Sequence, residues 1–163
     1  MKKRFVAIGK VIVGVSVTLG CVAGGAATAH ATLGGDAVSV QANQKTLGGT
    51  LHVETLPYGK LHVIQLPTGM VIRQYVSPAG AVFAVTWHGH RMPNVQEILG
   101  NYAEQLAHRD RITGGRHNMA LTGTDFMMRA TGHGQTFSGR AWVPSLVPAG
   151  VDLDTMLRTA VTP

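Results

Sequence analysis

Histidine offers the most chemistry in this sequence. Besides His30 there are seven: His52, His62, His88, His90, His108, His117 and His133. Neutral imidazole is a good ligand for copper, zinc or nickel, and two on one strand face can chelate. Two pairs have suitable spacing. His88-Gly89-His90 sets imidazoles at i and i+2, one face of a strand that continues through Gly89. His52 and His62 flank the turn Pro57-Tyr58-Gly59, and a hairpin centred near Pro57 sets them side by side. The simpler account is that His is tolerated on half-exposed sheet faces and that Gly89 ends the strand. No Asp or Glu lies near His88 or His90 to complete a coordination sphere.

Other chemistries are poorly supplied. Ser138 in Phe137-Ser138-Gly139-Arg140 lacks the flanking glycines of a nucleophile elbow, and Ser77 before Pro78 suits a turn. Asp152 and Asp154 fit a helix start and Asp125 a turn, so no carboxylate pair stands out for general acid–base work. Gly132-His133-Gly134 fits a hairpin turn, with no helix behind it to hold a phosphate. No cofactor is implied. Arg73 and Arg140, with Tyr75, Trp87 and Trp142, form a candidate interaction surface; the competing role for the two arginines is packing of their stems over an aromatic ring.

The elements that would carry these residues follow from periodicity. From Gly49 to Leu66, Leu51, Val53, Leu61 and Val63 alternate with His52, Glu54, Lys60 and His62, which is strand period. Centring the turn on Pro57 pairs Leu51 with Val63, Val53 with Leu61, Glu54 with Lys60 and His52 with His62. Met70–Val76 and Ala81–His88 are further strands, with Phe83, Val85 and Trp87 on one face. Short turns between them require antiparallel pairing. The period then changes: after Asn94, Val95, Ile98, Leu99, Tyr102 and Leu106 share one helical face, which predicts one amphipathic helix of about four turns. Strand signals return at His117–Leu121, Phe126–Thr131 and Gln135–Val143, and a short helix is expected from Asp152 to Arg158. The expected class is α+β: an antiparallel sheet of about seven strands, four before the helix and three after, packed by that central helix.

Residues 1–31 set the compartment. Lys2, Lys3 and Arg4 precede an apolar run from Phe5 to Ala27, and Ala29-His30-Ala31 offers small residues where a signal peptidase reads. The expectation is a secretory signal, a leader over 32–48 rich in Gly, Ala, Gln and Asn, and one domain over 49–163, periplasmic or secreted after cleavage near Ala31. Cys21, the single cysteine, falls inside the signal. Thr18-Leu19-Gly20-Cys21 loosely matches a lipoprotein box, which would anchor the chain instead, but the site at Ala31 is better formed. Cleavage there leaves no thiol for a disulfide, a nucleophile or zinc. It also removes four of the fourteen Lys and Arg and none of the eight acids, so the net charge falls from +6 to +2. That speaks against nucleic acid as a partner, since the remaining arginines are scattered, with only a loose cluster at Arg109, Arg111 and Arg116. No later stretch is apolar for long enough to span a bilayer.

Several strings carry a resemblance: Leu33-Gly34-Gly35, Arg73-Gln74-Tyr75-Val76-Ser77-Pro78-Ala79-Gly80, Phe83-Ala84-Val85 with Trp87 and Gly89, Leu99-Gly100 with Tyr102, and Phe137-Ser138-Gly139-Arg140-Ala141. Together they resemble the exported bacterial family filed as domain of unknown function 2844. The resemblance implies export and a single domain, and brings no activity or site residue with it. The functional expectation is a non-catalytic domain that recognises an envelope protein or envelope component; the alternative is a small metal-binding or enzymatic protein using a His-rich sheet face. The sequence sets no oligomeric state.

Overall fold

The computed structural model describes residues 33–36, 40, 44–45, 47–107, 112–113, 118–123 and 125–159. The signal segment, His108, His117 and the cluster Arg109, Arg111 and Arg116 lie outside the described residues. The strands are β1 (Thr50–Leu56), β2 (Gly59–Gln65), β3 (Val71–Val76), β4 (Val82–Gly89), β5 (Ile112–Thr113), β6 (Asn118–Thr122), β7 (Met127–His133) and β8 (Thr136–Trp142). The helices are α1 (Val95–Leu99), α2 (Asn101–Ala107) and α3 (Leu153–Thr159). All strands join one antiparallel sheet in the order β1-β2-β3-β4-β8-β7-β6-β5. Seven have five residues or more, while β5 has only two. The class is α+β, as expected. Two meanders meet at the β4–β8 seam, so the sheet centre is built from residues far apart in sequence.

The single central helix is corrected to two short ones. Asn94 caps α1 as expected: its Oδ1 accepts from the Gln96 backbone N–H at 3.2 Å, and its Nδ2 donates to Glu97 Oε1 at 2.9 Å. The helix then stops at Gly100, with φ 55° and ψ −127°, a conformation that costs an ordinary side chain dearly. The apolar stripe survives the break. Ile98 and Leu99 are buried, and Val95, Tyr102 and Leu106 pack beside them on the main core.

Antiparallel partners point to the same face, so the register divides the side chains between two faces. The inner face carries Ile64, Ile72, Val76, Val85, Trp87, Ala141, Met128 and Leu121 into the core beneath α1 and α2. Leu33 and Val40, ahead of β1, are buried in the same core. Leu33 is held by its N–H donating to Ile98 O at 3.0 Å, and the Gly34 N–H donates to Val82 O at 2.8 Å. Among the described residues, a helix covers the outer face at one end. There α3 lays Leu157, Leu153 and Met156 over Tyr75, Phe83, Ala84 and Trp142. Asp152 starts α3, its Oδ1 accepting from the Thr155 N–H at 3.2 Å and its Oδ2 from the Thr155 hydroxyl at 2.7 Å.

Two facial assignments differ from the sequence reading. A bulge between Tyr75 and Val76 shifts the β3–β4 register, and Phe83 packs with the outer cluster instead of beside Val85 and Trp87. The first hairpin is offset by one residue: Leu56 pairs with Gly59, Val53 with His62 and His52 with Val63. A two-residue turn, Pro57-Tyr58, closes it. Where β2 begins, Gly59 lies so close to β3 that a Cβ there would collide with the Val76 carbonyl oxygen. β1 resists the shift weakly. It is an edge strand with five of seven residues exposed, Val53 among them at 48%.

A candidate anion-binding face

The register builds three parallel rows across the outer face. The row under α3 runs Glu54, Leu61, Tyr75, Ala84, Trp142 and Met127. The central row runs His52, Val63, Arg73, Thr86, Arg140 and Arg129. The third runs Thr50, Gln65, Val71, His88, Ser138 and Thr131. The apolar side chains collect in the first row, which is why α3 covers that end; no described helix covers the two polar rows.

Charge in the strands is one-sided. Glu54 is the sole carboxylate in the described strands, at the β1 edge, whereas Arg73, Arg140 and Arg129 occupy one row. Arg140 lies directly opposite Arg129, an arrangement of like charges that disfavours folding. Arg73 and Arg140 flank Thr86 on either side, about 10 Å apart at the backbone, within joint reach of one group placed over Thr86. Both arginines are half-buried and Arg129 is exposed.

Thr86 is fully buried, and its Oγ1 makes no hydrogen bond. Two positions along β4, His88 is half-buried, and its Nδ1 also lacks a partner. Orphaned buried polar atoms cost stability, so two of them on one strand face need an explanation. Tyr75, next to Thr86 in the first row, is 4% exposed. Burial, with Tyr58 adding to it, pushes its hydroxyl up to about 12. The Arg73 charge and the Thr86 hydroxyl oppose that shift; the latter is near enough to act on Tyr75 but lacks hydrogen-bond geometry. The phenol stays neutral at physiological pH.

The residues singled out by sequence are partly brought together. Arg73 and Arg140 share the central row. Trp87 leaves the proposed surface: it is on the inner face, 1% exposed, with its indole over Gly139 of β8. Tyr75 is likewise buried, and Trp142 is half-buried against the α3 cluster. The histidine pairs separate. The hairpin offset puts His52 on the outer face and His62 on the inner. His88 closes the strand portion of its pair, while His90 is exposed beyond β4, its ring near Gly69. Among the described residues no group of three or more His, Cys, Asp or Glu comes together as a metal cluster. Ser77 makes the turn expected of it, its N–H donating to Ala81 O at 2.8 Å. Ser138 pairs directly with His88, but Glu54, the one strand carboxylate, is too far along the sheet to orient that imidazole.

Thr86 and Arg129 escaped the sequence reading. Their role depends on β8 lying between β4 and β7, a long-range pairing with no local signal.

His62 has a separate consequence. Only 6% exposed, it is held below its ordinary pKa of 6.5 by burial, with Lys60 adding to the effect. The unfolded chain therefore takes up this proton more readily than the folded one. The His62 contribution is complete above 6.5 and is lost as pH falls through the lower folded value. Urea titrations from neutral pH downward are expected to show stability falling on acidification, with a shallower slope in His62→Gln; identical slopes would refute this.

A concavity of about 540 Å³ lies on the helical side between Gly34, Asn101, Tyr102, Gln105, Asp125 and Ser145. Tyr102 forms its wall, stacked on Phe126 at 5.2 Å and 24°. Among the described residues no helix is long and apolar enough to cross a membrane.

A family model for proteins of unknown function, DUF2844, matches residues 29–156. The chain belongs to the DUF2844 family. The matched span holds all eight strands, α1, α2 and the first turn of α3, so both the arginine row and the concavity lie within the DUF2844 region. No curated protein and no solved structure matches the chain.

Proposed function

We propose that this protein is an exported, non-catalytic domain that binds an envelope component through the open half of its outer sheet face. One observation carries the binding assignment: three arginines aligned on a face with Glu54 as its one carboxylate in the described strands, beyond the reach of α3. Arg140 directly opposite Arg129 sets like charges together at a cost in stability, which a bound anion would offset. Export rests on the positively headed apolar segment and the Ala29-His30-Ala31 cleavage site, which give a mature start at Thr32.

The test uses a photo-crosslinking amino acid in living cells, placed at Arg129 on the open face and, separately, at exposed Gln96 on α1. A discrete envelope adduct from position 129 and none from 96 is the expected result. Equal labelling from both positions would sink the reading. Intact mass of the cell-purified product checks the compartment, with a start at Thr32 expected and retention of Met1 counting against export.

A further inference from the structure

We propose that Arg73, Thr86 and Arg140, with Arg129 at the end of their row, form a binding site for a phosphate group. This rests on the reading of the outer face as a recognition surface and names its ligand chemistry. Two independent features converge. The first is charge: guanidinium groups from β3 and β8 stand on either side of one β4 residue, and a third follows on β7. The second is the buried Thr86 hydroxyl, which makes no hydrogen bond and lies between the two flanking arginines. Because Thr86 is fully buried, a ligand oxygen would enter between the flanking arginine side chains to supply the missing partner, with its other oxygens against the arginine forks.

The chemistry favours phosphate over carboxylate. A carboxylate is planar and singly charged, and one arginine fork satisfies it. A tetrahedral phosphate presents three oxygens in different directions and carries up to two charges. It can accept from forks on opposite sides and from a hydroxyl beneath at the same time. His88 and Ser138 in the adjoining row add a second pair of hydrogen-bonding groups beside the site, and the His88 Nδ1 is itself without a partner. Thr131 and Thr50 extend that row with hydroxyls. The open rows present no large aromatic side chain that would insert into a bilayer. A phosphate-bearing group lying flat on the sheet suits them better than an apolar anchor.

The experiment titrates inorganic phosphate into protein purified from cells expressing the full chain, following amide and methyl NMR shifts, with acetate in parallel. Phosphate is expected to shift Thr86 and Arg140 saturably and acetate far less. Arg140→Gln is expected to weaken phosphate binding about tenfold, the scale of a charge-assisted pair. Thr86→Val, isosteric and without the hydroxyl, is expected to weaken it about threefold or more. Lys60→Gln, on the other face, is expected to change nothing. Thr86→Val keeps the test decisive should Arg140→Gln fail to fold.

A second arm measures sedimentation with phosphatidylcholine vesicles containing phosphatidic acid, whose headgroup is a phosphomonoester. Capture that disappears in Arg140→Gln assigns the phosphate to a lipid headgroup. Phosphate binding without vesicle capture assigns it to a non-lipid carrier. Both outcomes support the site. No phosphate response at Thr86, or one that Arg140→Gln leaves intact, overturns it. If envelope crosslinks from position 129 persist in that case, only the ligand class falls; if they vanish too, the recognition surface falls with it.

Discussion

Replacing Gly139 with Ala is expected to cost about 1–3 kcal/mol, the usual range for overpacking a filled core. Gly139 sits in β8 directly opposite Trp87 of β4, at the seam between the two meanders. A Cβ at this position would run into the Trp87 indole, at Cζ2 and Cε2. The ring cannot move aside easily, because Trp87 is 1% exposed and packed within the main core. Gly139 has no left-handed backbone to protect, so the cost is steric. A double-mutant cycle isolates that contact. In a Trp87→Leu background, which opens the space, Gly139→Ala is expected to cost less than about 1 kcal/mol. Urea denaturation of the four proteins gives the answer. Equal costs in both backgrounds would mean that Trp87 does not lie over Gly139.

The second large effect concerns α3. Leu157 is 2% exposed and is the side chain through which this short helix grips the outer sheet. Leu157→Ala is expected to cost about 2–5 kcal/mol, as buried leucine truncations do. Part of that loss should appear as local release of α3 rather than global unfolding, since the helix is only seven residues long and lies on one cluster. Tyr75 reports which occurs. Its hydroxyl is raised to about 12 chiefly by burial beneath this cluster. In Leu157→Ala the tyrosinate absorbance is expected to rise at lower pH, toward the ordinary value of 10, while the far-UV signal of the sheet persists. An unchanged Tyr75 titration in a folded variant would show that α3 is not what buries it.

Much of the architecture was legible in the sequence, and the errors have physical causes. Strand period marked β1 to β4 and β6 to β8 to within a few residues, because turns such as Pro67-Thr68-Gly69 and Ser77-Pro78-Ala79-Gly80 punctuate them. The stripe from Val95 to Leu106 correctly picked the side chains that meet the core. It could not show that Gly100 divides the helix, since periodicity is blind to one glycine that keeps the phase. The hairpin offset was lost for a different reason. Pairing four aliphatics and a Glu54–Lys60 ion pair looked self-consistent, yet on an exposed edge strand those gains are small. The two-residue turn Pro57-Tyr58 sets the register instead.

The candidate site was less legible than the fold. Arg73 and Arg140 stood out as strand arginines, but the reason they matter lies in Thr86 between them. That adjacency exists because β8 returns to the sheet centre beside β4, while the chain reaches β5 at the far edge first. Trp87 misled by type. A tryptophan on a strand is a natural surface anchor, but here the bare backbone of Gly139 makes room for it inside.

The face assignment of Thr86 carries the whole functional account and can be measured directly. Side-chain NOEs from the Thr86 methyl group are predicted to reach Arg73 on one side and Arg140 on the other. Thr86 methyl NOEs to Ile98 or Leu99 instead would put this residue under α1, break the arginine row and contradict the account.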